Sequence, residues 1–229
     1  MKIMEMKNYL LYLFLLTLSL KVYSQDSASV SEKKNAFAVS LGSPGLGLEY
    51  ARKLSPKLNA KLAWHSFNLK DFEREDIEIK DDIVDLIANL EVSIFDVGIE
   101  FIPFTNSSFK LTAGVGYLSN VNANGVVTYT EEVVFGDVIV SKNDVGEINA
   151  DISWSGAAPY LGLGFGRAIP KKRLGFGIEF GSYFTSSPDV KLTATNLLAP
   201  TAEQEDNLRE ALSTFKFIPR IQLRLAYKF

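Results

Sequence analysis

The last fifteen residues, Phe215 to Phe229, alternate without a break and end on a bare aromatic. Phe215, Phe217, Pro219, Ile221, Leu223, Leu225, Tyr227 and Phe229 occupy one set of alternate positions; Lys216, Ile218, Arg220, Gln222, Arg224, Ala226 and Lys228 occupy the other. Successive side chains of a strand point to opposite sides, so an extended segment here has one apolar face and one largely cationic face. A soluble sheet can show such alternation. Closing the chain on Tyr-x-Phe with an apolar residue at every second position is far more specific.

That ending resembles the C-terminal assembly signal of bacterial outer-membrane β-barrels, carried here by Leu223, Leu225, Tyr227 and Phe229. The resemblance implies recognition by the barrel-assembly machinery and escort by periplasmic chaperones. The other end of the chain agrees. Lys2 and Lys7 precede an apolar run from Tyr9 to Leu20, followed by Lys21 and Val22-Tyr23-Ser24. This pattern reads as a secretory signal peptide over residues 1–24 with cleavage after Ser24. The run is short of the ~20 apolar residues a spanning helix needs. Residues 25–35 are then an N-terminal periplasmic lead, and residues 36–229 the folded domain.

No later stretch is apolar for long enough to make a transmembrane helix, yet 47% of the residues are hydrophobic. A membrane protein without hydrophobic helices satisfies its backbone by closing a sheet on itself, because lipid offers no hydrogen bonds. The chain has no cysteine, so it has no disulfide and no lipoprotein anchor. Its net charge of −3 and the lack of a basic patch make nucleic acid an unsuitable partner.

Alternation recurs along the chain in the manner of a transmembrane barrel. Outward sets are Phe37, Val39, Leu41; Leu46, Leu48, Tyr50; Leu58, Ala60, Leu62, Trp64; Phe95, Val97, Ile99, Phe101; Phe109, Leu111, Ala113, Val115, Tyr117; Leu161, Leu163, Phe165; and Leu174, Phe176, Ile178, Phe180. With the C-terminal strand these make eight, and an all-β, eight-stranded antiparallel transmembrane barrel in up-and-down order is expected. Turns near Pro56, Asn106 and Lys171 are short, whereas the segments after strands three, five and seven are long; of the external connections only the first, at Ser43-Pro44-Gly45, is short. This matches the short-periplasmic, long-external parity of such barrels. A charged external loop is expected between strands three and four. Between Gly125 and Val140, strands five and six are expected to extend as a hairpin above the membrane. In the last external loop, Thr201 and Gln204 fit a capping box ahead of a short helix ending near Leu212.

An eight-stranded barrel leaves an interior that side chains can fill. The inward positions carry Glu49, Asp96, Glu100 and Glu179 against Lys61, Lys110, Arg220, Arg224 and Lys228. Charges in a narrow lumen must be paired, so these predict an internal salt-bridge network. A polar ion channel is the competing reading. Inward glycines, Gly162 to Gly166 and Gly175 to Gly181, leave room for Tyr160 and Tyr183. Aromatics near strand ends fit interfacial girdles, and Trp154 is the one candidate for a carbohydrate platform at the outer rim.

Some eight-stranded outer-membrane barrels are lipid A-modifying enzymes that use a Ser-His arrangement. The single histidine, His65, has Ser40 and Ser93 as its nearest candidate hydroxyls on neighbouring strands. A lumen hydrogen-bonding role is the simpler account, and no catalytic residue, cofactor or metal is assigned. The carboxylates of Asp71–Glu78 lack EF-hand spacing. They are expected to be solvated at the lipopolysaccharide surface.

Several stretches resemble a family of small eight-stranded outer-membrane proteins of Gram-negative bacteria, the OmpA/OmpW-like barrels. The residues concerned are Gly45-Leu46-Gly47-Leu48-Glu49-Tyr50, Leu54-Ser55-Pro56-Lys57-Leu58-Asn59, Ala158 to Gly166, Phe215 to Pro219 and Tyr227-Lys228-Phe229. The resemblance implies architecture, an outer-membrane location and lipid and lipopolysaccharide as surroundings. It supplies no catalytic residues and names no extracellular ligand. A structural or surface-interaction role with a closed lumen is the leading expectation, and transport of a small hydrophobic molecule through the barrel the alternative.

Overall fold

The computed structural model describes residues 33–79, 82–135 and 138–229, and its sheet closes on itself. In chain order the strands are β1 (Asn35–Gly42), β2 (Gly45–Lys53), β3 (Leu58–Ile79), β4 (Asp82–Phe101), β5 (Phe109–Tyr129), the small hairpin β6 (Val133–Phe135) and β7 (Val138–Val140), β8 (Glu147–Phe165), β9 (Leu174–Phe184), β10 (Asp189–Ala194) and β11 (Phe217–Lys228). Among the described residues two α-helices, α1 (Lys142–Val145) and α2 (Glu205–Leu212), complete the order. One inward rung shows the closure: Lys228 pairs with Ala36, then Ala51, Lys61, Gly98, Gly114, Tyr160, Tyr183 and finally Ile218. The ladder therefore re-enters β11 ten residues from its start, the stagger that tilts eight strands around a barrel axis. The expected eight-stranded antiparallel barrel is the fold. The expected signal peptide and most of the expected lead lie outside the described residues.

The outer wall follows the alternation. Phe37, Val39, Leu48, Leu62, Val97, Val115, Leu161, Phe176, Leu223 and Leu225 are all exposed, while their sequence neighbours turn inward and are buried or half-buried. A continuous exposed apolar belt of this kind is unstable against water and suits lipid. Aromatics stack along it: Phe37 lies between Tyr50 and Phe229 at ring distances of 5.3 and 5.2 Å, and Trp64 stacks on Phe95 at 6.2 Å.

The strands after the short turns are much longer than the alternation suggested. The expected charged loop after strand three is a continuation of β3 and β4, paired as far as Ile79↔Asp82. The hairpin expected between Gly125 and Val140 is present as the extension of β5 to Tyr129 paired with β8 from Glu147, the two joined through β6, β7 and α1. The reason is a change of polarity within single strands. On β4, Phe95, Val97, Ile99 and Phe101 point outward beside inward Asp96 and Glu100. Further along the same strand the outward positions become Ser93, Glu91, Asn89, Ile87 and Asp85, polar but for Ile87, and the inward ones Ile94, Val92, Leu90, Leu86 and Val84. The sheet is inside-out in the lipid belt and has the ordinary soluble polarity beyond it. Outside the belt, outward side chains form a polar ladder in which Asn124 donates to Asn149 at 2.7 Å and to Asp151 at 2.9 Å.

This extension has two free edges, each managed differently. Beyond Ser66, β3 has no partner on its β2 side, and there it carries Lys70, Asp71, Glu73, Arg74, Glu75, Asp76 and Glu78. Two bulges break the register, with Asp71 and Asp76 at φ of 51° and 55° and their amides bonded to Asn89 and Asp85 side chains. Charge and bulges on an exposed edge oppose pairing with another chain. The acidic run is thus edge protection on a strand, where a solvated loop was expected.

The other edge, β10, is a strand that sequence reading did not foresee; it pairs with β8. It is capped by α2: the Glu205 carboxylate accepts the Leu192 N–H at 3.0 Å, and Arg209 reaches the Val190 carbonyl. The expected capping box is not formed. Residues Asn196–Gln204 make a 3-10 segment containing Pro200, so α2 starts at Glu205, and the Gln204 side chain accepts from the Asn207 side chain and caps no helix N–H.

The Leu192 N–H, aided by Arg209, holds the Glu205 carboxyl below its ordinary value of 4.5. A depressed value in the folded state stabilises the tie above the ordinary value, and the benefit is lost as pH falls through the lowered one. Glu205→Gln is therefore expected to reduce hydrogen-exchange protection of the Leu192 amide at neutral pH. The difference from wild type shrinks as pH falls below about 4.5. Equal protection at neutral pH would refute the cap.

Candidate functional site: the barrel lumen

The interior is filled in three layers. At the short-turn end, residues 166–173 between β8 and β9 tuck into the mouth. Ala168 and Ile169 are buried against Ala36 and Ala51, and the Ala168 N–H donates to Glu100 Oε1 at 2.7 Å. Arg167 fastens this turn to its neighbour by donating to the carbonyls of Thr105 and Ser107.

The middle layer is ionic. Glu179 Oε2 accepts from Lys110 Nζ at 2.6 Å, Lys61 Nζ at 3.2 Å and Thr112 at 3.2 Å, while its other oxygen accepts from the Tyr160 hydroxyl at 3.0 Å. Lys110 also faces Glu100 at 3.3 Å, and Asn59 donates to Glu100 from the neighbouring strand. Glu49 lies 3.7 Å from Lys61 and 3.1 Å from Arg224, and accepts from Gln222. Lys110, Glu100 and Glu179 are wholly buried. Desolvated charges at this density persist only where each has an opposite partner within contact distance.

The third layer centres on Arg220. Its guanidinium donates to Asp96 at 2.9 Å, to the Tyr183 hydroxyl at 2.6 Å and to Gln222, and lies over the Tyr160 ring at 4.9 Å. Tyr183 in turn bonds both Asp96 oxygens. Glycines make room for the tyrosines: a Cβ on Gly181 would sit 2.3 Å from the Tyr160 hydroxyl, and one on Gly116 would sit 2.5 Å from the Tyr183 ring. Above this layer Ile94, Leu118, Val92 and Val121 pack with Tyr183 and Ile218 in an apolar floor.

All eight charged residues singled out from the sequence, Glu49, Lys61, Asp96, Glu100, Lys110, Glu179, Arg220 and Arg224, point into this interior. Lys228 does not join them; it binds the Lys171 carbonyl at the rim. The neutral partners Asn59, Thr112, Gln222 and the Ala168 amide went unpredicted. Alternation marks Asn59, Thr112 and Gln222 as inward but gives no sign of what they meet, and the amide arrives by a turn folding inward. Leu223, Leu225, Tyr227 and Phe229 are exposed on the lipid face at the C-terminal end.

His65 is fully buried, with Nε2 between Asp96 Oδ2 at 3.2 Å and an Arg220 nitrogen at 2.9 Å. Ser40 lies one strand beyond Gly47 on the same rung, but neither Ser40 Oγ nor His65 Nδ1 has a hydrogen-bond partner. Ser93 faces outward to Trp64. Trp154 is half-buried and donates to the Phe215 carbonyl, so its ring lies against the β9–β11 connection.

No family model and no curated protein matches the sequence. Among solved structures, CarO of Acinetobacter baumannii superposes at a TM-score of 0.60 with 19% identity, covering 86% of this chain and 98% of CarO. CarO2 of the same organism gives 0.62 with 14% identity, covering 87% and 100%. A major outer membrane protein from Thermus thermophilus gives 0.41 with 14% identity, covering 86% and 98%. The closed ring of eight strands, its apolar belt and the likeness to CarO and CarO2 lead to one conclusion: this chain has the fold of a small eight-stranded membrane β-barrel, the fold it shares with CarO and CarO2.

Proposed function

We propose that this chain is a closed barrel of the outer membrane whose working part is the sheet it holds above the lipid, a role of structure and surface interaction. The observation that carries the reading is the interior: a tucked-in turn, a charge-balanced ionic layer and an aromatic–aliphatic floor stand in series along the barrel axis. Long, edge-protected strands outside the belt and short turns at the other end support an outward-facing role. On the same reading, the exposed C-terminal face of β11 is what the barrel-assembly machinery and periplasmic chaperones handle during export. Lipid and lipopolysaccharide then surround the belt. Neither Ser40 nor Ser93 bonds to His65, which favours interaction over lipid A chemistry.

Planar-bilayer recording of the refolded mature protein tests this. The wild type is expected to give no discrete openings. Reproducible single-channel steps that change with Glu100→Ala or Arg224→Ala would replace the closed barrel with a transport role.

A further inference from the structure

The extension beyond the lipid belt has a face with no described function. Its inward positions are fixed by the ladder: Leu69, Leu90, Ala123, Ile152 and Val190 form one rung of five strands, and Arg74, Leu86, Val127, Ile148 and Ala194 another. Among the paired inward positions from Phe67 to Ile77 on β3 and on the rungs that continue them, Arg74 is the one charged residue; Lys70, Asp71, Glu75 and Asp76 sit in the two bulges, outside the ladder.

The face is incompletely covered. Phe67, Leu69 and Phe72 are 37%, 37% and 47% exposed although they lie inside the sheet, away from the lipid belt. Below, the Ile94–Leu118–Tyr183 floor closes it off from the ionic layer. To the side, the β1–β2 hairpin is far shorter than the extended strands, so the wall is lowest there. The hairpin is nevertheless sealed to β11, its Ser43 N–H donating to the Ile221 carbonyl at 2.9 Å. The face therefore opens to the outside and is walled off from the bilayer core by a continuous ladder.

We infer that this concave sheet binds a water-borne long-chain anionic amphiphile, its tail along the apolar rungs with the end toward the Ile94 floor and its acid group at Arg74. Three observations select that occupant. The rungs offer apolar surface and no inward hydrogen-bonding side chain to match a sugar or peptide backbone between Leu69 and Val127. The distance from Phe67 to Arg74 along β3 is on the order of 20 Å, the reach of a long extended chain. Arg74 is exposed and makes no ion pair among the described residues, and a guanidinium takes a carboxylate in bidentate fashion. The inference rests on the closed-barrel reading only in placing this face outside the cell; its test involves no current.

Trp154 sits on the inward face opposite Val121 and serves as the reporter, once the lipid-facing Trp64 is replaced by Phe. Refolded Trp64→Phe protein in phosphatidylcholine nanodiscs is titrated with a brominated long-chain fatty acid. Saturable quenching of Trp154 is expected, with the apparent affinity lowered about tenfold, or 1.4 kcal/mol, by Arg74→Glu. The brominated methyl ester, lacking the acid, is expected to bind as weakly to wild type as the acid does to Arg74→Glu. Quenching that grows linearly without saturating, or equal affinity in wild type and Arg74→Glu, would overturn the proposal. Quenching by brominated phospholipid built into the nanodisc, with no competition from the free acid, would overturn it in favour of a bilayer lipid. Arg74 is a surface residue, so folding of its variant is checked directly by the gel mobility of unboiled samples.

Discussion

Glu179→Ala is expected to cost the folded barrel about 3–5 kcal/mol, the range for removing one partner of a buried ion pair. Glu179 is wholly buried and is the one acid that touches both lysines of the ionic layer. Without it Lys61 keeps only Glu49 at 3.7 Å, and Lys110 keeps only Glu100 at 3.3 Å. Thr112 and the Tyr160 hydroxyl lose their acceptor as well. The measurement is urea unfolding in lipid, followed by the mobility difference between folded and unfolded protein on gels. Because the loss comes from stranded cations, Glu179→Ala with Lys110→Met should be more stable than Glu179→Ala alone, a coupling of about 1 kcal/mol or more. A single-variant loss below about 1 kcal/mol would mean that the layer is hydrated and weakly organised.

The charges of this layer were legible because lipid fixes the phase of every strand. Once Val97 and Ile99 must face out, Asp96 and Glu100 must face in, and the same logic places Lys61, Lys110 and Arg224. Their pairing was not legible, since it depends on the ten-residue stagger that brings Glu179 of β9 against Lys61 of β3, two strands far apart in sequence. The β3–β4 hairpin, unlike the expected β5–β8 one, was missed for a physical reason. A search for outward apolar residues loses a strand when its polarity inverts, as β4 does at Ser93 and Ile94. On β3 the left-handed residues Asp71 and Asp76 also break the period of two. The same stretch read as a loop because its charges are those an exposed edge needs. At α2, a sequence match to a capping box lost to Pro200, whose 3-10 segment takes up the residues that would have formed the first turn.

The inversion along β4 gives the second large effect. Val97 and Ile87 point to the same side of one strand, five alternations apart, and differ in what lies outside them. Val97, 62% exposed between Leu62 and Val115, faces hydrocarbon. Ile87 lies between Glu73 and Val126 in the extension, where the outward ladder is polar. Val97→Lys is expected to destabilise the barrel by about 2–4 kcal/mol, the cost of a lysine facing mid-bilayer on such a wall. Ile87→Lys, at a half-buried outward position in water, is expected to cost no more than about 1 kcal/mol. Both variants are measured by the same unfolding assay, in bilayers of matched composition. If the two losses were equal, the extension would be immersed in lipid and the belt would continue to the end of β4. A small loss at Val97 would place that face in water and remove the physical basis for a membrane barrel, whatever the likeness of folds. The pair thus tests the solvent on each side of Ser93, which determines whether the apolar inner sheet carrying Arg74 stands outside the membrane and open to a ligand from water.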